Sequence, residues 1–250
     1  MNYEQILSRR IQDVKPSGIR RFFDILEEMK DAISLGIGEP DFPTPWHIRD
    51  AGIYSLEKGF TKYTSNAGLA ELRREIASYL ARRFGLHYHF ADQILVTVGG
   101  SEGIDLAIRC LVNPGDEVIV PTLTFIAAVN PLTRYVGAEP IFIGCDDSLC
   151  IDPEAVEDFC VNRCELRDGR LYNKATGAHI KALEVVHVFG NMADMPRLMA
   201  IAKRYGLIVI EDATEALGTR CTDGPFAGKF AGTIGDIGCY SFNGNKIITT

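Results

Sequence analysis

Leu207-Ile208-Val209-Ile210-Glu211-Asp212 sets an unbroken run of branched apolar residues against a pair of carboxylates. An apolar run without polar alternation reads as a strand buried on both faces, and the charges at its end mark where the chain leaves the core. Working outward, residues 94–98, 117–121, 140–143, 183–188 and 238–242 repeat the theme, with helical patterns over 101–111, 153–159 and 195–205 between them. This alternation predicts an α/β fold, a mostly parallel sheet covered by helices on both faces. Ligands in such sheets bind beyond the carboxyl ends of the strands, so the residues following each run are the candidates.

The segment before residue 93 has a different rhythm: a helix over 18–29, a Gly/Pro-rich extended stretch over 35–45, then helices over 46–58 and 69–84. It suggests an N-terminal arm (1–45) leading into one large domain (46–250). Residues 164–177 are polar, and Asp168-Gly169 and Thr176-Gly177 mark turns, so a surface hairpin or loop is expected there.

Composition narrows the function. At 46% hydrophobic and 24% charged the chain carries enough apolar residues for a sizeable core. A net charge of −7, with Arg9-Arg10, Arg20-Arg21 and Arg82-Arg83 scattered as solvated pairs, argues against a nucleic-acid face. Charges throughout residues 1–16, and no window of membrane-spanning length, lead to the expectation of a cytoplasmic protein with no membrane partner. Seven cysteines, with Cys110, Cys145 and Cys239 in apolar runs, read as reduced, buried thiols. Cys160 and Cys164 share a helical spacing but have no second pair or His cluster nearby, so no metal site is expected.

Three strand ends carry chemistry. Gly99-Gly100-Ser101-Glu102 opens a helix after the run 94–98, bringing free N–H groups, a helix dipole and a hydroxyl together; this is either a phosphate cradle or plain capping. Glu211-Asp212 places one or both carboxylates at the rim, as a ligand partner or as an N-cap. Ser241-Phe242-Asn243-Gly244-Asn245-Lys246 places an amine beyond the last strand, where a solvated lysine is the plainer reading. Cradle, acid and amine together are what pyridoxal 5′-phosphate (PLP) needs from its protein, and Phe125 offers an aromatic plane to stack on the ring.

Pro121-Thr122-Leu123-Thr124-Phe125, Val186-His187-Val188-Phe189-Gly190-Asn191, Ile210-Glu211-Asp212-Ala213-Thr214-Glu215-Ala216-Leu217-Gly218 and Gly235-Asp236-Ile237-Gly238 running into Lys246 resemble the sugar-nucleotide aminotransferases of the DegT/StrS family. The resemblance covers residues 121–250. It implies that Lys246 forms the Schiff base with PLP, Asp212 faces the pyridine nitrogen, Ser241 holds phosphate and Phe125 stacks on the ring. Glu215 falls where many members carry Gln or His against the cofactor.

Residues 17–114 resemble instead the class I aminotransferases of amino acids, through Ile33-Ser34-Leu35-Gly36-Ile37-Gly38-Glu39-Pro40-Asp41-Phe42, Tyr63-Thr64-Ser65-Asn66-Ala67-Gly68-Leu69 and Val98-Gly99-Gly100-Ser101-Glu102. That resemblance implies phosphate-loop roles for Gly100, Ser101 and Glu102, a place beside the substrate for Gly38, and a reach toward the partner subunit's cofactor for Tyr63. Both families share the fold type I PLP-transferase large domain, so the chain reads as a hybrid. The class I Asn-Pro-rich loop, the Tyr after its cofactor Asp and its C-terminal carboxylate-binding Arg do not appear.

The resemblance also implies a further strand and a small C-terminal domain after residue 250, whose absence here is expected to leave a gap in the sheet. The expected activity is a PLP-dependent transamination in a homodimer, from glutamate or a similar donor to a nucleotide-linked 4-keto-6-deoxy sugar. The alternatives are a 2-oxo acid acceptor, or a fragment without turnover. A nicotinamide-binding protein is disfavoured because no Gly-x-Gly-x-x-Gly follows a strand.

Overall fold

The computed structural model describes residues 6–15, 25, 29, 31, 33, 38, 40 and 42–248. The chain divides into two compact units, Met1–Phe42 and Pro43–Thr250. In the first, Arg9–Gln12 forms a single helical turn. The helix expected over 18–29 and the extended stretch over 35–45 fall largely outside the described residues. Gly38 is exposed there, with open space where a Cβ would stand.

The second unit is built on a seven-stranded sheet. Its strands are β1 (Glu117–Pro121), β2 (Glu139–Ile143), β3 (Cys164–Arg167), β4 (Arg170–Asn173), β5 (His179–Val186), β6 (Ile208–Asp212) and β7 (Ile237–Cys239). Five of them run parallel in the order β2-β1-β5-β6-β7. β3 and β4 form an antiparallel hairpin through Asp168 and Gly169, both at positive φ (50° and 75°), as a two-residue turn compatible with strand twist requires. β4 then pairs with His179 and Ile180 of β5, just before β6 takes that edge at Ala182. Buried Glu117 ties this corner down by accepting from Asn173 Nδ2 (2.8 Å) and Thr176 Oγ1 (2.7 Å).

The helices are α1 (Trp46–Glu57), α2 (Ala70–Phe84), α3 (Gly100–Leu111), α4 (Ile126–Asn130), α5 (Pro153–Asp158) and α6 (Met195–Tyr205), with wider π-helical turns continuing α4 (Pro131–Val136) and α5 (Phe159–Arg163). α6 follows its local signals closely. Asp194 caps it by accepting from Arg197 N, Pro196 opens it, and Gly206 closes it at φ 68°, where a Cβ would meet Gly169 O at 2.5 Å. Ile104, Ala107 and Ile108 of α3 and Met195, Leu198 and Ile201 of α6 are buried with Ile119, Leu183 and Ile210 of the sheet in one core. Each of the Ile, Leu and Met side chains contributes about 1.5–3 kcal/mol by leaving water.

The predicted strand over 94–98 does not form. Strands exist by pairing, and the hydrogen bond from Val96 N to Ala67 O (3.2 Å) lies outside any ladder. β5 begins at His179 rather than 183, because the hairpin provides partners for residues that read as polar. The last strand is shorter than expected, Ile237–Cys239 rather than 238–242, and within the described residues β7 pairs only with β6. Among the cysteines Cys239 is buried, Cys145 is half-buried, and Cys110, expected inside, is exposed because it lies on the outer side of α3. Among the described residues no cluster of His, Cys, Asp and Glu has the makings of a metal site, and no helix is long and apolar enough to cross a membrane.

Candidate active site

The chain leaving the carboxyl ends of β6 and β7 converges on the N-terminus of α3. Gly100 marks the meeting point: a Cβ there would stand 2.7 Å from Thr214 Cγ2, 3.3 Å from Ser241 Cβ and 3.3 Å from Tyr240 O. Only glycine lets the first turn of α3 approach the loops after β6 and β7 this closely. The preceding Gly99 is the N-cap at φ 84° and has open space at its Cβ position, at the helix end where the first-turn N–H groups lack intrahelical partners. Ser101 and Glu102 belong to that turn, and Glu102 accepts a short hydrogen bond from Val98 N, which fixes the approach to the helix.

The two carboxylates ending β6 point to opposite faces, as adjacent strand residues must. Glu211 is fully buried and saturated: His187 Nε2 donates to it at 2.9 Å, and the N–H groups of Gly232 (2.8 Å), Ile234 (2.6 Å) and Gly235 (2.5 Å) complete its shell. Ala193 N donates to His187 Nδ1 at 3.2 Å, which places the ring proton on Nε2. Burial pushes the Glu211 carboxyl up, but the His187 hydrogen bond and the backbone donors outweigh it and hold the group below its ordinary value.

Asp212, on the face covered by α3, is 5% exposed and held by Thr214, whose N–H donates at 3.0 Å. Burial dominates here and raises its pKa, although the hydrogen bonds from Thr214 act the other way. Among the described residues no cation forms an ion pair with it. A buried acid in this condition fits a ligand that brings its own positive N–H.

Lys246 lies beyond β7, in a turn closed by its N–H to Asn243 O (2.9 Å). Its Nζ donates to Glu215 Oε1 at 2.9 Å, while Glu215 Oε2 accepts from Phe189 N at 2.9 Å. The Lys246 bond and charge and the Phe189 N–H together hold the Glu215 carboxyl below its ordinary value against the effect of burial. Phe189 takes a left-handed conformation (φ 55°, ψ 20°), unusual for an aromatic residue, and this turns its N–H toward Glu215. Loops after β5, β6 and β7 are thus linked through one carboxylate to the amine.

The model of the DegT/DnrJ/EryC1/StrS aminotransferase family matches residues 73–250. The chain belongs to that family. The match reaches further toward the N-terminus than the DegT-like motifs beginning at residue 121 and includes α3. Relatives come from both sides of the apparent hybrid. The chain is 51% identical over 137 residues to the putative aminotransferase YugH of Bacillus subtilis, covering 55% of this chain and 35% of that protein. It is 40% identical over 152 residues to GDP-perosamine synthase of Escherichia coli O157:H7, covering 60% of this chain and 36% of that one. Among solved structures, kynurenine aminotransferase of Pyrococcus horikoshii, in complex with PMP, matches with a TM-score of 0.61 at 27% identity, over 84% of this chain and 52% of that one. The chain spans about half or less of the length of the relatives it matches.

Aminotransferases of this family and fold use PLP, and the residues present fit it. The α3 N-terminus with Ser101 and Ser241 suits the phosphate, Asp212 suits the pyridine nitrogen and Lys246 suits the aldehyde. The structure brings Gly100, Thr214 and Ser241 together and joins Lys246 to Glu215. Phe125, the 75%-exposed N-cap of α4, and Tyr63, fully exposed, make no ring contact with them. Sequence reasoning missed His187 as the partner of Glu211, Phe189 as the holder of Glu215, and the buried acid Glu184.

Proposed function

We propose that this chain is the cofactor-binding part of a PLP-dependent aminotransferase whose amino acceptor is a nucleotide-linked 4-keto-6-deoxy sugar. The observation that carries the reading is the convergence of Asp212, Lys246 and the α3 N-terminus at one end of a parallel sheet. PLP supplies an aldehyde that condenses with amines and a ring that takes up electrons. The N–H groups at Gly100 and Ser101 and the Ser241 hydroxyl bind and orient its phosphate, Glu102 braces that turn, and the Asp212 carboxylate holds a proton on the pyridine nitrogen. Phe125 shields one ring face from water. Lys246 Nζ anchors the cofactor and, once freed by an amino donor such as glutamate, moves a proton at the donor's Cα. Glu215 receives the Nζ cation whenever the amine is free.

Support for the sugar acceptor comes from the family model and the GDP-perosamine synthase match. A 2-oxo acid acceptor is the second reading, favoured by 34% identity over 207 residues to a probable aspartate aminotransferase of Methanocaldococcus jannaschii. Gly38 beside the substrate, and Tyr63 reaching a second subunit's cofactor, extend the proposal to a homodimer; α1, with no buried residue, offers Trp46, Ile53 and Leu56 for such a contact. The test loads the protein with PLP and glutamate, then offers either acceptor. Return of the aldehyde absorbance with the keto sugar alone supports the proposal, and return with 2-oxo acids alone replaces it with the second reading.

A further inference from the structure

Glu184 sits in the middle of β5 with no exposed surface, and neither carboxyl oxygen has a hydrogen-bond partner. Its register partner in β6 is Ile210, and Val186 faces Asp212, so Glu184 and Asp212 are diagonal neighbours on one face of the sheet. Diagonal neighbours lie about 7–8 Å apart at the backbone, within reach of a long side chain. Ile237 and Cys239 of β7 share that face through Ile210 and Asp212, and α3 covers it with Ile104, Ala107 and Ile108. A Cβ at Gly103 of α3 would stand 3.7 Å from Cys239 Sγ, which shows how closely the helix seals the site.

We propose that Glu184 is a positioning residue for Asp212, a carboxylic acid beneath it whose O–H is donated to the Asp212 carboxylate, directly or through one buried water. The proposal rests on the reading of Asp212 as the partner of the pyridine nitrogen. An orphaned acid in a sealed apolar layer needs an acceptor, and among the described residues the titratable groups facing it are Asp212 and Cys239. Burial pushes the Cys239 thiol up to about 12, so it stays a thiol and a weak acceptor. Burial first and the Asp212 charge second raise Glu184 well above the ordinary carboxylate range, and with no donor aimed at either oxygen Glu184 is the member of the pair suited to carry the shared proton. The result is a one-proton acid–carboxylate pair, which aims the Asp212 charge upward at the cofactor site.

The test compares Glu184→Leu and Glu184→Gln in the full chain. The expected outcome for Leu is a fold at least as stable as the original, a PLP affinity about tenfold weaker, equivalent to 1.4 kcal/mol, and a displaced pH midpoint of the bound-cofactor absorbance. Gln, which keeps an N–H donor, restores most of the affinity. Unchanged affinity and midpoint in the Leu variant overturn the proposal. A cofactor-free double-mutant cycle with Asp212→Ala separates this failure from that of the functional reading. Its expected result is that the effect of Glu184→Leu on the unfolding constant changes severalfold between the two backgrounds. An additive cycle overturns the contact even if PLP binds, and a coupled cycle in a chain that does not bind PLP retires the functional reading while keeping the contact.

Discussion

The two faces of β6 hold acids in opposite conditions. On one side Glu211 has a histidine and three backbone N–H groups, and its carboxyl is held below the ordinary range. On the other, Asp212 and Glu184 are raised by burial, and no described donor reaches either oxygen of Glu184. Neighbouring residues of one strand therefore do different work. A saturated buried acid stabilises the fold around it, whereas an unsaturated one stores free energy that a cationic ligand releases.

The largest expected effect falls on the saturated side. Glu211→Leu leaves His187 and the donors at Gly232, Ile234 and Gly235 without their acceptor, and urea unfolding should show a loss of about 3–5 kcal/mol. A loss below about 1 kcal/mol would erase the distinction between the faces. pH sharpens the same contrast with opposite signs. The lowered pKa of Glu211 contributes stability above its unfolded value, near the reference 4.5, and that contribution is lost as pH falls through the folded value. The raised pKa of Glu184 acts the other way, so stability is lost as pH rises from the reference 4.5 through the folded value. Removing each acid should flatten its own limb of the stability–pH curve and leave the other limb in place.

On the unsaturated side, Asp212→Asn should leave stability nearly unchanged and retain attachment of PLP to Lys246, yet slow transamination by about 10²–10³-fold, the scale of one lost electrostatic contact to developing charge. Turnover at the original rate would reduce Asp212 to a cap for the loop through Thr214. The smallest effect concerns the loop that serves both sides, since His187 supports Glu211 and Phe189 supports Glu215. Phe189→Gly should relieve the left-handed backbone and raise stability by about 1 kcal/mol or less, with the Lys246–Glu215 pair intact. A destabilisation would show that the exposed ring, rather than the N–H, is what the loop retains.

The unsaturated face was partly legible in the sequence, because Asp212 and Lys246 follow apolar runs and the glycines opening α3 follow a third. What pairs across strands was not. Glu211 and His187 meet only once the register of β5 and β6 is known, and the apolar run 183–188 gave no sign that Glu184 inside it would be orphaned. The failed strand over 94–98 has a similar cause: periodicity reports a tendency to extend, while pairing depends on a neighbour that the run itself does not contain. The hairpin was readable because Asp168-Gly169 carries its geometry locally.

Reduction with borohydride after PLP loading tests most directly whether Lys246 is the amine that takes PLP. Peptide mapping should place the phosphopyridoxyl label on Lys246, and Lys246→Ala should lose the label while keeping the fold. A label on Lys229 or Lys203, or no label on a folded chain saturated with PLP, would contradict it.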